Sequence, residues 1–195
     1  MVTTALPTQT LLKPTPPAEK LITGDDLWEM DNIGPSELID GRIVLMSPTG
    51  GTHGNLESKL SYFLSHFVYS GGEGTVFNGE VGIYIRRNPD RIRAADVAFV
   101  SKQRLPVVPS RYLDVAPELV IEILSPGDRW QDVRQKLEDY FSIGVDQVWI
   151  VEPDNQTVLA YTSPTTLEKF GLNDSVPGFG PLDGFTLSVA DLFAN

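Results

Sequence analysis

Leu56, Leu60, Phe63, Leu64 and Phe67 recur at the three- and four-residue spacing of one helical face and predict an amphipathic helix from His53 to near Gly71-Gly72. Val133, Leu137, Tyr140 and Phe141 form a second stripe, predicting a helix that Asp128 caps and that ends about Ile143, before Gly144. A short helix is expected through Asp25–Met30. Runs of apolar residues predict strands over 37–46, broken by an Asp40-Gly41 hairpin turn, then over 75–86, 95–100, 119–124 and 147–151. Strand, helix and strand across 119–151 form a βαβ unit, whose two strands should be parallel. A turn through Pro153–Gln156 leads back along 157–161, and the segment to Phe193 reads as edge strands and a closing turn.

Two carboxylates interrupt the apolar strands. In Pro117–Pro126, Glu122 lies on one strand face with Val120 and Leu124, while Leu119, Ile121 and Ile123 occupy the other. If both faces are covered, the charge is buried, and an unpaired buried charge costs several kcal/mol; a cation, a metal or a proton is implied. Asp96 stands in the same way within Ala94–Val100. Together they point to one metal site.

Composition narrows the setting. The 195 residues, 41% apolar and 21% charged, suit one domain with a full core. Pro7, Pro14, Pro16 and Pro17 mark residues 1–20 as a flexible tail, leaving 21–195 as the folded domain. Neither a long apolar run nor a signal-peptide pattern is present, so no membrane is expected and a cytoplasmic location is. With no cysteine and two histidines, thiolate chemistry and disulfides are excluded, and hard metals bound by oxygen remain. The net charge of −11 argues against non-specific coating of nucleic acid. Between Arg86 and Arg111, however, Arg86, Arg87, Arg91, Arg93, Lys102, Arg104 and Arg111 face only Asp90 and Asp96. This basic segment is either a solvated surface or a contact for phosphate.

Asp96 and Glu122 on neighbouring strands can hold Mg²⁺, with the Ile123 carbonyl as a third ligand. A cationic group to orient water is then needed. Lys136, at the margin of the second helical stripe, is the candidate, although Asp132 four residues earlier can pair with it on the helix surface. His53 can be a ligand, a substrate contact, a proton shuttle or simply a packed residue. Glu37, Glu57 and Glu80 can approach the site, but periodicity does not aim them. No Gly-rich phosphate loop, HExxH helix or nucleophile elbow appears.

The succession ELIDG at 37–41, His53 before its helix, ADVAFV at 95–100, PELVIEILSPGDR at 117–129, Lys136 with Tyr140, and GVDQVWIVEPD at 144–154 resembles the Uma-two family, whose members are described as restriction endonucleases. That family is similar to the PD-(D/E)XK nuclease superfamily. The resemblance implies a mixed α/β fold, a central mixed β-sheet flanked by helices, and Mg²⁺-dependent hydrolysis of phosphodiester bonds in DNA, with Mn²⁺ as an alternative metal. It puts Asp96 at the superfamily's aspartate and Glu122 at its second acid. The lysine expected two residues on is Leu124 here, and Lys136 on the following helix is its expected replacement. Asp96, Glu122 and Lys136 are then catalytic, Arg86, Arg87, Arg91 and Arg93 contact the DNA backbone, and a homodimer would cut both strands. Two alternatives stand: a non-catalytic module of the same fold that binds a partner or nucleic acid, and a metal-dependent phosphoesterase acting on small substrates.

Overall fold

The computed structural model describes residues 20–194. The tail expected over 1–20 therefore lies, apart from Lys20, outside the described residues. In chain order the elements are α1 (Gly24–Trp28), β1 (Ser36–Ile39), β2 (Arg42–Leu45), α2 (Gly51–Tyr69), β3 (Gly74–Arg86), β4 (Arg91–Ser101) and β5 (Leu119–Ile123). They continue with α3 (Trp130–Ser142), β6 (Gln147–Glu152), β7 (Thr157–Ser163), β8 (Thr166–Phe170), β9 (Ser175–Pro177), a 3₁₀ turn (Gly180–Leu182), β10 (Thr186–Ser188) and α4 (Val189–Phe193).

Eight strands form one mixed sheet in the order β2-β1-β4-β5-β6-β7-β8, with β3 paired to β4. Only β5 and β6 run parallel, as the helix between them requires; the other pairs are antiparallel. The β1–β2 hairpin turns at Asp40 and Gly41, with φ of 54° and 75°, which a short Asp side chain and a glycine tolerate. β9 and β10 form a separate two-stranded sheet rather than edges of the main one.

Both sheet faces are covered. Leu56, Leu60 and Leu64 of α2 pack on Val97, Phe99, Leu119, Ile121, Ile123 and Trp149, with β9, β10 and α4 closing the same core. Val133, Leu137 and Tyr140 of α3 pack on the opposite face against Ala98, Val100, Val120, Val148 and Ile150. Strand alternation therefore gives β5 two apolar faces, and Glu122 points to the side that α3 covers.

Two local expectations are corrected. α2 begins at Gly51, so His53 lies in its first turn. Asp128 does not cap α3: Arg129 is the N-cap residue, without a side-chain cap, and the Asp128 carboxylate instead accepts the Ser125 N–H at 2.7 Å, closing the Ser125–Asp128 turn.

The edge of β4 opposite β3 carries two partners in succession. Ile92 pairs with Leu38 of β1, and residues 97–99 pair with 119–121 of β5. Between them, along 93–96, no strand among the described residues completes the ladder. Backbone donors exposed by that interruption need acceptors, and carboxylates supply them.

Candidate active site

Two acids fill the interruption. The Asp96 Oδ2 accepts the Ile123 N–H at 2.6 Å, where β5 departs from β4, and Glu37 Oε1 accepts the Ala94 N–H at 3.2 Å. Side chains have replaced strand pairing here, so Asp96 and Glu37 have fixed places. Glu122, 6% exposed, faces α3, where Lys136 and Tyr140 stand one turn apart. Lys136 Nζ donates to Glu122 Oε2 at 2.6 Å and Tyr140 OH donates to Oε1 at 2.5 Å, so both carboxylate oxygens are engaged. Lys136 also lies 3.7 Å from Glu37 Oε1.

The electrostatics follow from this crowding. Burial pushes the Glu122 carboxyl up to about 7; Lys136 works against this, and the neighbouring charge of Asp96 adds to it. Burial would also lower the Lys136 ammonium, but Glu122 and Glu37 outweigh it and raise its pKa, so the lysine stays protonated. The site is thus short of positive charge even with its lysine in place.

His53 Nε2 lies 3.2 Å from Asp96 Oδ2, and this contact raises the imidazole pKa above its usual value despite burial. Its Nδ1 is buried without a hydrogen-bond partner among the described residues. Glu57 and Glu80 lie on the same side. Glu57 accepts the Gly79 N–H at 2.8 Å, and Glu80 has its pKa raised by burial and by the charges of Glu57 and Asp96. All three acids named as possible neighbours therefore act on the constellation: Glu37 through Lys136, Glu57 and Glu80 through His53.

Other expectations change. Asp132 pairs with Arg129 at 3.0 Å rather than with Lys136, which turns inward to Glu122. Arg93, 7% exposed, is engaged within the fold: it donates to Glu37 and, through Nε, to Asp139, each at 2.7 Å, and a second guanidinium nitrogen lies 2.7 Å from the same Asp139 oxygen. Arg91 is held between Asp40 at 2.8 Å and Asp139 at 2.7 Å. Arg86 and Arg87 are half-exposed, and each is paired, with Asp40 and Asp114 respectively. The basic segment around Asp96 is thus largely neutralised within the fold.

Tyr140 and Asp139 belong to the site's framework, though the apolar stripe marked Tyr140 only as a core residue. A signal was present in the spacing, since Tyr140 follows Lys136 by four and shares its face. Asp139 carried none, because its partners come from β4.

A cleft of about 390 Å³ opens at His53 and the end of β5, lined by Gly51, His53, Leu124, Trp130, Glu152 and Asp154 among others. Among the described residues no cluster of three or more His, Asp or Glu side chains is disposed to hold a metal by itself. Two carboxylates with a backbone carbonyl would still suit Mg²⁺, which takes one or two carboxylates and keeps several waters. The surplus of buried acid at Asp96 and Glu122 fits a divalent cation. Among the described residues no helix is long and apolar enough to cross a membrane.

No curated protein matches the chain. A crystal structure described as a "putative nuclease" from Anabaena variabilis superposes with a TM-score of 0.75 at 25% identity, over 89% of this chain and 98% of that one. The central mixed sheet flanked by helices is shared with that protein. Residues 26–190 match the profile of the Uma2 family, described as "Putative restriction endonuclease". With nearly all of the described residues covered by that match, this chain belongs to the Uma2 family.

Proposed function

We propose that this protein is a Mg²⁺-dependent endonuclease hydrolysing phosphodiester bonds in DNA, with residues 21–195 as a single catalytic domain. One observation carries the reading: the Lys136 ammonium lies 2.6 Å from Glu122, at the interruption where Asp96 is also fixed, although Leu124 occupies the expected lysine position. The helix supplies the missing cation.

Asp96, Glu122 and the Ile123 carbonyl would hold Mg²⁺ or Mn²⁺, which would supply Lewis-acid polarisation of the phosphoryl oxygen. Lys136 orients the attacking water and offsets charge developing on the phosphate. Tyr140 keeps Glu122 in one rotamer. His53 holds Asp96 from the other side. A homodimer that cuts both strands, working in the cytoplasm, completes the proposal.

A second reading, a module of the same fold that binds without cutting, draws on the cleft. Among the described residues its lining includes Asp128, Glu152 and Asp154 and no lysine or arginine, which disfavours a polyanion unless a metal is bound. The test is supercoiled plasmid with Mg²⁺ or Mn²⁺, beside Asp96→Asn and Glu122→Gln. Metal-dependent nicking lost in both variants supports the nuclease. Folded protein that cuts with neither metal supports the binding module, and hydrolysis of a small aryl phosphate but not of plasmid supports a phosphoesterase.

A further inference from the structure

Lys136 is one ammonium between two buried carboxylates. It donates to Glu122 at 2.6 Å and stands 3.7 Å from Glu37, too far for a hydrogen bond and close enough for an ion pair. Glu37 is not free to close that gap. Its Oε2 accepts from Arg93 at 2.7 Å and its Oε1 from the Ala94 N–H at 3.2 Å. Arg93 is itself clamped by Asp139, which Arg91 also binds, and Asp40 holds Arg91. The clamp makes Glu37 a stationary charge beside a lysine whose present partner is a proposed cation ligand.

We propose that Glu37 is the positioning residue for Lys136, retaining the ammonium over the site when a divalent cation takes the oxygens of Glu122. The inference rests on the metal-dependent reading above. Lys136 and the cation compete for the same carboxylate, since two positive charges cannot share its Oε2 at contact distance without repulsion. Glu37 eases the competition by offering the lysine a second, preformed partner on the side of β1. Once there, the ammonium remains near Glu122 and available to the attacking water. Without Glu37 the lysine has one partner only, stays on Glu122 and opposes the cation.

The test is Mn²⁺ binding by the full chain at pH 8, read from the free-ion electron paramagnetic resonance signal, in a double-mutant cycle of wild type, Glu37→Gln, Lys136→Met and the double variant. Glu37→Gln keeps an oxygen for Arg93 while removing the charge. Expected is a weakening of Mn²⁺ binding by about five- to tenfold in the wild-type background and by less than about twofold in the Lys136→Met background, a coupling of the size met between groups in contact. Lys136→Met alone should bind more tightly than wild type. Equal weakening in both backgrounds would mean that Glu37 acts on the cation directly, and no weakening in either would mean it only neutralises Arg93; each overturns the inference while leaving the metal site intact. Absence of Mn²⁺ from both wild type and Lys136→Met would overturn the metal reading itself and this inference with it. Should the amide variant not fold, Glu37→Asp, which keeps the charge but draws it back from Lys136, replaces it in the cycle with the same outcomes.

Discussion

Lys136 reaches from α3 back to Glu122 on the strand that leads into that helix, and the two meet at 2.6 Å with Tyr140 on the carboxylate's other oxygen. The pair thus spans a strand and the helix that follows it. Leu124, two residues beyond Glu122, joins the apolar packing under α3 instead.

If Lys136 orients the attacking water, Lys136→Ala should lower plasmid cleavage by about 10²–10³-fold, the usual cost of one preorganised charge at a reaction centre. DNA binding measured by anisotropy should change far less. Loss of binding and cutting in equal proportion would assign the lysine to affinity rather than to chemistry.

Tyr140→Phe removes a donor from a buried carboxylate and nothing else. Stability in urea should fall by about 1–3 kcal/mol, the penalty of leaving such an oxygen unsatisfied. The Glu122 carboxyl should titrate still higher, so the rise of any metal-dependent cleavage with pH should move to higher pH. An unshifted profile would separate Tyr140 from Glu122 in function.

Glu122 titrates near 7 in the folded protein against 4.5 for the free group. The folded state therefore binds this proton more tightly than the unfolded chain. Its contribution to stability is full below about pH 4.5 and is lost as pH rises through about 7, by at most on the order of 3 kcal/mol. Chemical denaturation across that window should show the slope, and Glu122→Gln should remove it. Cation binding runs the other way: affinity for Mg²⁺ should rise through pH 7, because the bound acid must lose its proton.

Arg93→Met would leave Glu37 and Asp139 buried without their shared cation. A loss of about 3–5 kcal/mol is expected, measured by urea unfolding, as for other broken buried pairs. The salt dependence of any DNA binding should not change, since no phosphate contact is removed. A shallower salt slope in folded protein would show instead that Arg93 reaches the nucleic acid.

Much of the architecture is legible along the chain because burial writes periodicity. The Leu56, Leu60, Leu64 and Val133, Leu137, Tyr140 stripes each name the face a helix presents, and the two-residue alternation of β5 separates Glu122 from Ile121 and Ile123. Asp96 and Glu122 stand out for the same reason: a carboxylate amid continuous apolar strand residues is legible as buried before any partner is known.

The partners are another matter. Arg91 and Arg93 read along the chain as a basic run near an acid, yet both are satisfied within the protein by Asp139 from α3, with Glu37 and Asp40 from the β1–β2 hairpin completing the pairs. Asp132 is at helical spacing from Lys136, but the deeper carboxylate of Glu122 is the partner the lysine takes.

Local periodicity and turn chemistry are short-range properties, and they were sufficient for α1 to α3, the strands from β1 to β7, the Asp40-Gly41 hairpin and the buried acids, but not for the separate β9–β10 sheet or for α4. Which charge meets which depends on where β1 and β5 succeed one another along a single edge of β4, bringing residues 37, 96, 122 and 136 together. That succession is a long-range pairing, and no spacing within any one segment encodes it; only the assembled sheet brings Glu37 and Glu122 to the same ammonium.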